Sequence, residues 1–147
     1  MYKRILLPTD GSKNSEKAIK HACNMATHEH AEIVVINVID SKHLTSLPED
    51  ALDDDTEFVF EEHGDVVTKH VEELIKETDE NIKVSSITAE GDPATAIIKA
   101  AEKENMDVIV IASSGKHILD RFLLGSVTSK TIKYSTIPVL VIPTNSE

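Results

Sequence analysis

The amino-acid sequence predicts a single α/β domain built on a parallel β-sheet. Five short apolar runs, rich in Val, Ile and Leu, alternate with segments whose apolar residues recur at helical spacing. Strands that alternate with helices form βαβ units, in which the strands run parallel. Aromatic residues make up only 3% of the chain, so the core must be aliphatic, as it is in parallel sheets. No repeat or linker interrupts the alternation, which indicates one domain over residues 1–147.

The five apolar runs are the predicted strands. Four of them are nearly continuous in aliphatic residues, as expected of strands that are buried on both faces. The third is interrupted by Lys83, Ser85 and Ser86 and is therefore predicted to lie at an edge of the sheet. In chain order the runs are Ile5–Leu7, Ile33–Val38, Ile82–Ile87, Val108–Ala112 and Val139–Ile142.

Four helices are predicted between the strands. The first has Ser12 as its N-cap, and the third has Asp92 as its cap with Pro93 at the first helical position. The apolar stripes of the first three helices are Ala18 to Ala26, Val67 to Ile75 and Ala94 to Ala101, and the fourth helix begins at Ser126 and continues past Ile132.

The segment from Asp40 to Glu62 is long for a connection within a βαβ unit. Nine acidic residues and no Lys or Arg lie between Glu49 and Asp65. We interpret this acidic segment as a solvated loop, and the alternative is a functional lid that covers a site.

Composition excludes several classes of function. The net charge of −11 argues against a nucleic-acid partner, because phosphate backbones attract basic surfaces. No apolar stretch reaches membrane-spanning length and no secretory signal is recognisable, so no membrane association is expected and the cytoplasm is the expected location. The single cysteine, Cys23, excludes an intramolecular disulfide and is interpreted as a buried structural thiol.

The loop after the fourth predicted strand has the composition of a phosphate-binding site. Small hydroxyl residues and a glycine occur within residues 112–117, and Gly125 then opens a helix with hydroxyl residues in its first turn. Free backbone N–H groups and the helix dipole at such a terminus favour an anion. The charge balance also turns positive between Ala112 and Lys133. Neither a Walker A loop nor a GxGxxG motif is present.

These residues resemble the signature of the universal stress protein family, in its ATP-binding branch. That signature reads Gly-x-x-Gly, nine residues, then Gly-Ser/Thr. Gly115 and Gly125-Ser126 match it, with nine residues between them, whereas Ala112 stands in the place of the first glycine. The resemblance also covers the opening segment Ile5–Ser12, the pair Asn37-Val38, the run Gly91-Asp92-Pro93 and the closing run Ile137–Val141.

The resemblance implies an adenine nucleotide alpha-hydrolase-like fold: a five-stranded parallel sheet in the order 3-2-1-4-5 with helices on both faces. Strands one and four are then neighbours, and their loops form one site. The implied adenine contacts are Pro8, Thr9, Asp10 and Val38. The implied contacts of the ribose and phosphates are Ala112, Ser113, Ser114, Gly115, Lys116 and His117, and those of the phosphates are Gly125, Ser126, Val127 and Thr128.

Ala112 in place of glycine has two possible consequences. If the backbone at this position needs a positive φ, Ala costs on the order of 1 kcal/mol, or about a fivefold loss of affinity. If φ is negative, one methyl group near the ribose is harmless.

The predicted function is that of a regulatory, ATP-binding stress-response protein, with a divalent ion such as Mg²⁺ or Mn²⁺ bridging the phosphates. One alternative is a slow ATPase in which Asp10 or Asp120 positions water. Another is a member that has lost nucleotide binding and acts through protein contacts. No catalytic site is predicted, because no nucleophile has an identifiable base. No metal site within the protein is predicted either, because the histidines are interpreted as solvated surface residues.

A homodimer is expected through the last predicted strand. The run Pro138–Pro143 is apolar and would form an edge of the sheet, where unpaired backbone groups favour pairing with another strand. The resemblance implies the same contact, since members of the family often join these edge strands across a two-fold axis.

Overall fold

The computed structural model describes residues 1–40, 54–114 and 124–144, with the side chains of residues 54–63 excepted. Five strands form one parallel sheet in the order β3-β2-β1-β4-β5, so the predicted fold class and strand order are confirmed. In chain order the elements are β1 (Arg4–Pro8), α1 (Lys13–Glu29), β2 (Glu32–Asp40), α2 (Asp54–Thr78), β3 (Val84–Gly91), α3 (Pro93–Lys103), β4 (Val108–Ala112), α4 (Ser126–Tyr134) and β5 (Val139–Ile142).

Helices cover both faces of the sheet. One core lies between the sheet and the helices α1 and α2, and it includes Ala22 and Ile75. The other core lies between the opposite face and the helices α3 and α4, and it includes Ile97 and Ile109. Both cores are built almost entirely from aliphatic side chains, as the composition indicated. None of the helices within the described ranges is long and apolar enough to span a bilayer.

The third strand lies at an edge of the sheet, as predicted, but its bounds differ from the prediction. It starts at Val84 rather than Ile82, because the N–H of Ile82 donates to the carbonyl of Asp79 in the turn after α2. It then continues through polar residues to Gly91, since every residue from Val84 onward pairs in register with β2. Strand pairing therefore extends the element beyond its apolar run.

The interpretation of the segment Asp40–Glu62 as a loop is wrong for residues 54–62. Helix α2 begins at Asp54, inside the acidic segment, and continues for 25 residues. Its later part is anchored by Val71 and Ile75, which are buried against the sheet. Glu favours helices and Asp opposes them only modestly, so an acidic composition does not distinguish a helix from a loop. Residues 41–53, which hold the rest of the segment, lie outside the described residues.

The predicted starts of α1, α3 and α4 are confirmed, although the side chains of the two predicted caps, Ser12 and Asp92, behave differently. Asp92 accepts hydrogen bonds from the N–H of Thr95 at 3.1 Å and from its hydroxyl at 2.8 Å. Ser12 occupies the N-cap position of α1 in extended conformation, but its side chain makes no capping hydrogen bond. Instead its carbonyl oxygen accepts from the Ser15 hydroxyl at 2.7 Å.

Cys23 is buried on α1, which confirms the prediction of a structural thiol. Burial raises the pKa of the Cys23 thiol above its ordinary value, because the thiolate is poorly solvated there. The protonated thiol therefore predominates at neutral pH, and it is a weak nucleophile.

Candidate functional site

The carboxyl ends of β1 and β4 lie side by side. Ile5 pairs with Val108 and Leu6 with Ile109, while β2 flanks β1 on its other side. The chain moves from β1 to β2 in one direction, and from β3 across to β4 in the other, so the strand order reverses at this point. Ligands of open α/β sheets bind in the crevice that such a reversal creates.

Thr9 follows β1 directly, and its N–H, its carbonyl and its hydroxyl are all hydrogen-bonded. Its N–H donates to the carbonyl of Ile36 at 2.9 Å, and its own carbonyl accepts from the side-chain amide of Asn37 at 2.8 Å. Its hydroxyl accepts from the N–H of Gly11 and exchanges a 3.1 Å hydrogen bond with the hydroxyl of Ser15. Both Thr9 and Asn37 are buried. This end of β1 is consequently rigid, and Pro8 is fixed beside it as the last residue of the strand.

Asp10 stabilises the turn that follows. Its carboxylate accepts from the N–H of Ser12 at 2.9 Å, while Gly11 adopts a φ of +81° that favours glycine. A side chain at Gly11 would also approach Val67 of α2, since an added Cβ would lie 3.2 Å from a Val67 methyl carbon. Asp10 therefore caps the turn, and it remains exposed.

Val38 lies near the end of β2, half-buried, on the face that α3 and α4 cover. Its strand neighbour on β3 is Ala89, and Ile36 of the same strand binds Thr9 through its carbonyl. The predicted adenine contacts, from the ends of β1 and β2, are thus brought to one end of two adjacent strands.

Ala112 is the last residue of β4 and is 7% exposed. Among the described residues other than glycine, only His30 and Asn105 have a positive φ. The backbone at position 112 therefore does not need glycine's conformational freedom, and the alternative with a positive φ is excluded. Its carbonyl accepts a 2.8 Å hydrogen bond from the buried hydroxyl of Thr128.

Ser113 joins the two ends of the phosphate loop, which we define as residues 113–125. Its N–H donates to the carbonyl of Ile142 on β5 at 2.8 Å, and its carbonyl accepts from the N–H of Gly125 at 2.9 Å. The residues between Ser114 and Leu124 lie outside the described part of the chain, and these include the predicted contacts Gly115, Lys116 and His117.

The start of α4 has the geometry expected of an anion-binding terminus. Gly125 is the N-cap, with extended backbone angles, and the first intrahelical hydrogen bond runs from the N–H of Ser129 to its carbonyl. The N–H groups of Ser126, Val127 and Thr128 precede that bond, and helix geometry offers them no partner inside the helix. The Ser126 side chain is exposed, whereas the Thr128 hydroxyl is directed at Ala112.

Sequence reasoning missed Thr144, which lies two residues beyond β5. Its hydroxyl is hydrogen-bonded to the hydroxyls of Ser113 at 3.1 Å and Ser114 at 2.8 Å. Its N–H donates to the Ser113 hydroxyl at 3.1 Å. Nothing in the sequence distinguishes this threonine from the others, because its partners lie in the loop after β4, about 30 residues away.

A separate cavity of about 350 Å³ lies at the opposite end of the sheet, where β1, β2 and β3 begin. Its charged lining residues include Lys3, Glu32, Asp79 and Lys83. Two of these residues already bind the protein itself: Lys3 donates to the carbonyl of Glu29, and Asp79 accepts from Thr27 and Asn81. The pKa of Asp79 is accordingly lowered, chiefly by the hydrogen bond from the Asn81 backbone. The crevice between the carboxyl ends of β1 and β4 therefore remains the better candidate for a ligand site.

The strand order, the helices on both faces and the crevice between β1 and β4 define an α/β protein of the adenine nucleotide alpha-hydrolase-like fold. The chain belongs to the universal stress protein family, whose family model matches residues 1–143. Membership agrees with the resemblance carried by the phosphate loop and the opening segment.

Two archaeal relatives match nearly the whole chain. Universal stress protein MJ0531 of Methanocaldococcus jannaschii is 38% identical over 142 residues, covering 97% of this chain and 82% of the relative. Universal stress protein MJ0577 of the same organism is 36% identical over 97% of this chain and 95% of the relative. The solved structure of MJ0577 superposes with a TM-score of 0.74 at 37% identity, covering 97% of this chain and 96% of that chain.

Two more distant structures carry adenine nucleotides. A universal stress protein in complex with cAMP is 20% identical, with a TM-score of 0.72, and covers 97% of this chain and 98% of its own. A universal stress protein of Archaeoglobus fulgidus in complex with dAMP is 19% identical, with a TM-score of 0.68, and covers 96% and 98%. At these identities the likeness establishes the shared fold.

Proposed function

We propose that this protein binds an adenine nucleotide, ATP, at the carboxyl ends of β1 and β4, and that it acts as a regulatory stress-response protein of the cytoplasm. The observation that carries this proposal is the hydrogen bond from Gly125 to Ser113, which holds the N-terminus of α4 against the end of β4. The cAMP and dAMP complexes of proteins with this fold support the choice of an adenine nucleotide.

The adenine would occupy the slot beside β1 and β2. The half-buried Val38 would supply apolar surface there, next to the buried Pro8, and the exposed Asp10 would lie at its edge. Flat apolar slots with a few fixed polar groups suit a purine. Because the N–H of Thr9 already donates to Ile36 and its carbonyl already accepts from Asn37, recognition of the base edge is expected to depend on the backbone groups of Asp10.

The phosphates would lie at the start of α4. The backbone N–H groups of Ser126, Val127 and Thr128 and the exposed Ser126 hydroxyl would donate to phosphate oxygens, which fits an anionic group at a helix N-terminus. Thr128 would contribute through its backbone, since its hydroxyl donates to Ala112. Gly115, Lys116 and His117 would complete the contacts to ribose and phosphates. A divalent cation such as Mg²⁺ or Mn²⁺ would be held mainly by the phosphates themselves.

We propose binding without metabolic catalysis. The Asp10 carboxylate is engaged with the N–H of Ser12, so it supports the turn instead of standing free as a base. The slow-ATPase alternative differs in one measurable property, which is conversion of bound ATP to ADP over hours.

The first experiment is mass spectrometry of small molecules released when the purified protein is denatured. Recovery of an adenine nucleotide is expected. Calorimetric titration of nucleotide-free protein with ATP, ADP and adenosine should show affinity rising with the number of phosphates. Chromatography of an ATP complex held overnight should return ATP. If neither mass spectrometry nor calorimetry detects an adenine ligand, the alternative in which the protein acts through protein contacts alone is favoured.

We also propose a homodimer through β5. This strand pairs with β4 on one side and forms an edge of the sheet on the other. Leu140 on it is 40% exposed, which is high for leucine on a strand. An apolar edge strand is stabilised when a second copy pairs with it.

A further inference from the structure

Thr144 links the end of β5 to the start of the phosphate loop through its side chain and its backbone. It is 7% exposed, and its hydroxyl is hydrogen-bonded to both Ser113 and Ser114. Its N–H donates to the Ser113 hydroxyl, and its carbonyl accepts from the Lys17 ammonium at 3.4 Å. Thr144 therefore connects β5, the loop after β4 and helix α1.

The hydrogen bonds continue from Thr144 to the proposed phosphate site. The hydroxyl of Ser113 is hydrogen-bonded to Thr144, and the carbonyl of Ser113 accepts a hydrogen bond from the N–H of Gly125. Gly125 is the N-cap of α4, where the phosphates are proposed to bind. Ser114 is also 7% exposed, and a buried hydroxyl is costly when it loses its partner. Removing the Thr144 hydroxyl would thus take this partner from Ser114 and leave Ser113 with only the Thr144 N–H, so the start of the phosphate loop would be held less firmly.

We propose that Thr144 is a positioning residue for the phosphate half of the nucleotide site, acting through Ser113 and Ser114. This inference rests on the proposed nucleotide function. Thr144 lies beyond the edge strand and would nevertheless influence ligand affinity. A change that displaces the end of β5 would then also alter phosphate binding. The adenine half is anchored by Asn37 and Ser15 instead, and is not expected to respond.

The test compares Thr144→Val, which removes the hydroxyl and keeps the shape, with Thr144→Ser, which restores a hydroxyl. Thr136→Val is the matched control, because the Thr136 hydroxyl donates to Glu102 at an exposed position away from the loop. Each protein is titrated calorimetrically with ATP and with adenosine. Thr144→Val should weaken ATP by about tenfold and change adenosine by less than about twofold, while Thr144→Ser should keep most of the affinity. The control should leave both affinities unchanged.

Unchanged ATP affinity in Thr144→Val would overturn the inference. Equal losses for ATP and adenosine would also overturn it, because they would indicate a general structural role. Hydrogen exchange of the Gly125 amide, measured without ligand, separates this inference from the proposed function. Faster exchange in Thr144→Val supports the link to Ser113 even if the parent protein binds no nucleotide, in which case only the nucleotide role fails. Unchanged exchange contradicts the link itself.

Discussion

The backbone N–H of Gly125 lies 2.9 Å from the carbonyl oxygen of Ser113 and donates a hydrogen bond to it. This bond fixes the start of α4 to the end of β4, and Thr128 adds a second bond from α4 to Ala112. The backbone groups proposed to bind phosphate are therefore held in place by hydrogen bonds of the protein itself. Such preorganisation lowers the ordering cost of binding.

The Ser126 hydroxyl is expected to strengthen phosphate binding. Ser126→Ala removes one donor to a charged oxygen, so ATP binding should weaken by about 1.5–3 kcal/mol, while adenosine binding should stay the same. Ser129→Ala is the matched control. Ser129 is exposed on the same helix, but its N–H already donates to the Gly125 carbonyl, so it lies outside the proposed phosphate contacts. Calorimetric titration with ATP and with adenosine measures the affinities of both variants. A silent Ser126→Ala, together with adenosine binding as tight as ATP, would contradict the phosphate site.

Val38 is expected to determine base binding. Val38→Asp places a carboxylate in the apolar slot, where an unpaired charge is costly to bury, so ATP and adenosine should both be lost. The parent protein should prefer ATP to GTP by calorimetry. Circular dichroism should show an intact fold, because Val38 is only half-buried. Equal affinity for ATP and GTP would count against this slot.

Gly64 is expected to be required for the close approach of α2 to the sheet. A Cβ there would lie 2.8 Å from the Thr88 methyl carbon and 3.2 Å from the Asn37 side-chain oxygen. Gly64→Ala should destabilise the protein by about 1 kcal/mol, since overpacking outweighs the gain in helix propensity. In a Thr88→Ser background, which removes that methyl group, the same substitution should cost less. Urea unfolding of the four proteins measures the difference, and equal costs would exclude this contact as the cause.

Asp92 is expected to make stability depend on pH in the acid range. Lys130 lies 2.8 Å from its carboxylate and, with Thr95, lowers the pKa of Asp92 to about 2. A lowered folded-state pKa means that the charged form stabilises the fold above about pH 4, and that this contribution is lost as pH falls towards 2. Asp92→Asn keeps a capping side chain but no charge, so it should be less stable by up to about 1 kcal/mol at pH 7.

Urea unfolding at several pH values measures that difference. The stabilities of Asp92→Asn and the parent protein should converge between pH 4 and pH 2. A constant difference over this range would show that the carboxylate charge does not contribute.

Leu140 is expected to lie in the dimer interface. Leu140→Lys should shift the protein towards monomer, because a charged side chain on an edge strand opposes pairing. Val66→Lys is the matched control, since Val66 is 64% exposed on α2, far along the sheet from β5. Light scattering over a concentration series reports the mass. A monomeric parent protein would reject the proposed dimer.

Much of the fold could be predicted from the sequence. The bounds of β4 and β5 agree with their apolar runs, because continuous aliphatic residues indicate strands buried on both faces. The start of α3 was predictable because Asp92 and Pro93 favour a helix start through local chemistry alone. The start of α2 was not, since acidic residues occur in helices and loops alike, and tertiary packing contributes most of the stability of a helix in a protein.

The sequence by itself determined the class of fold, the alternation of its elements and, through the motif, the strand ends at which a ligand is expected. The tertiary structure alone decided which groups meet there. Thr144 and Ser113 are 31 residues apart, and they come together because β5 pairs with β4 in one register. Likewise, the φ of Ala112 follows from its place at the end of a paired strand. The preference of a segment for helix or strand depends on neighbouring residues, whereas the partner of a buried hydroxyl depends on which distant strands lie side by side.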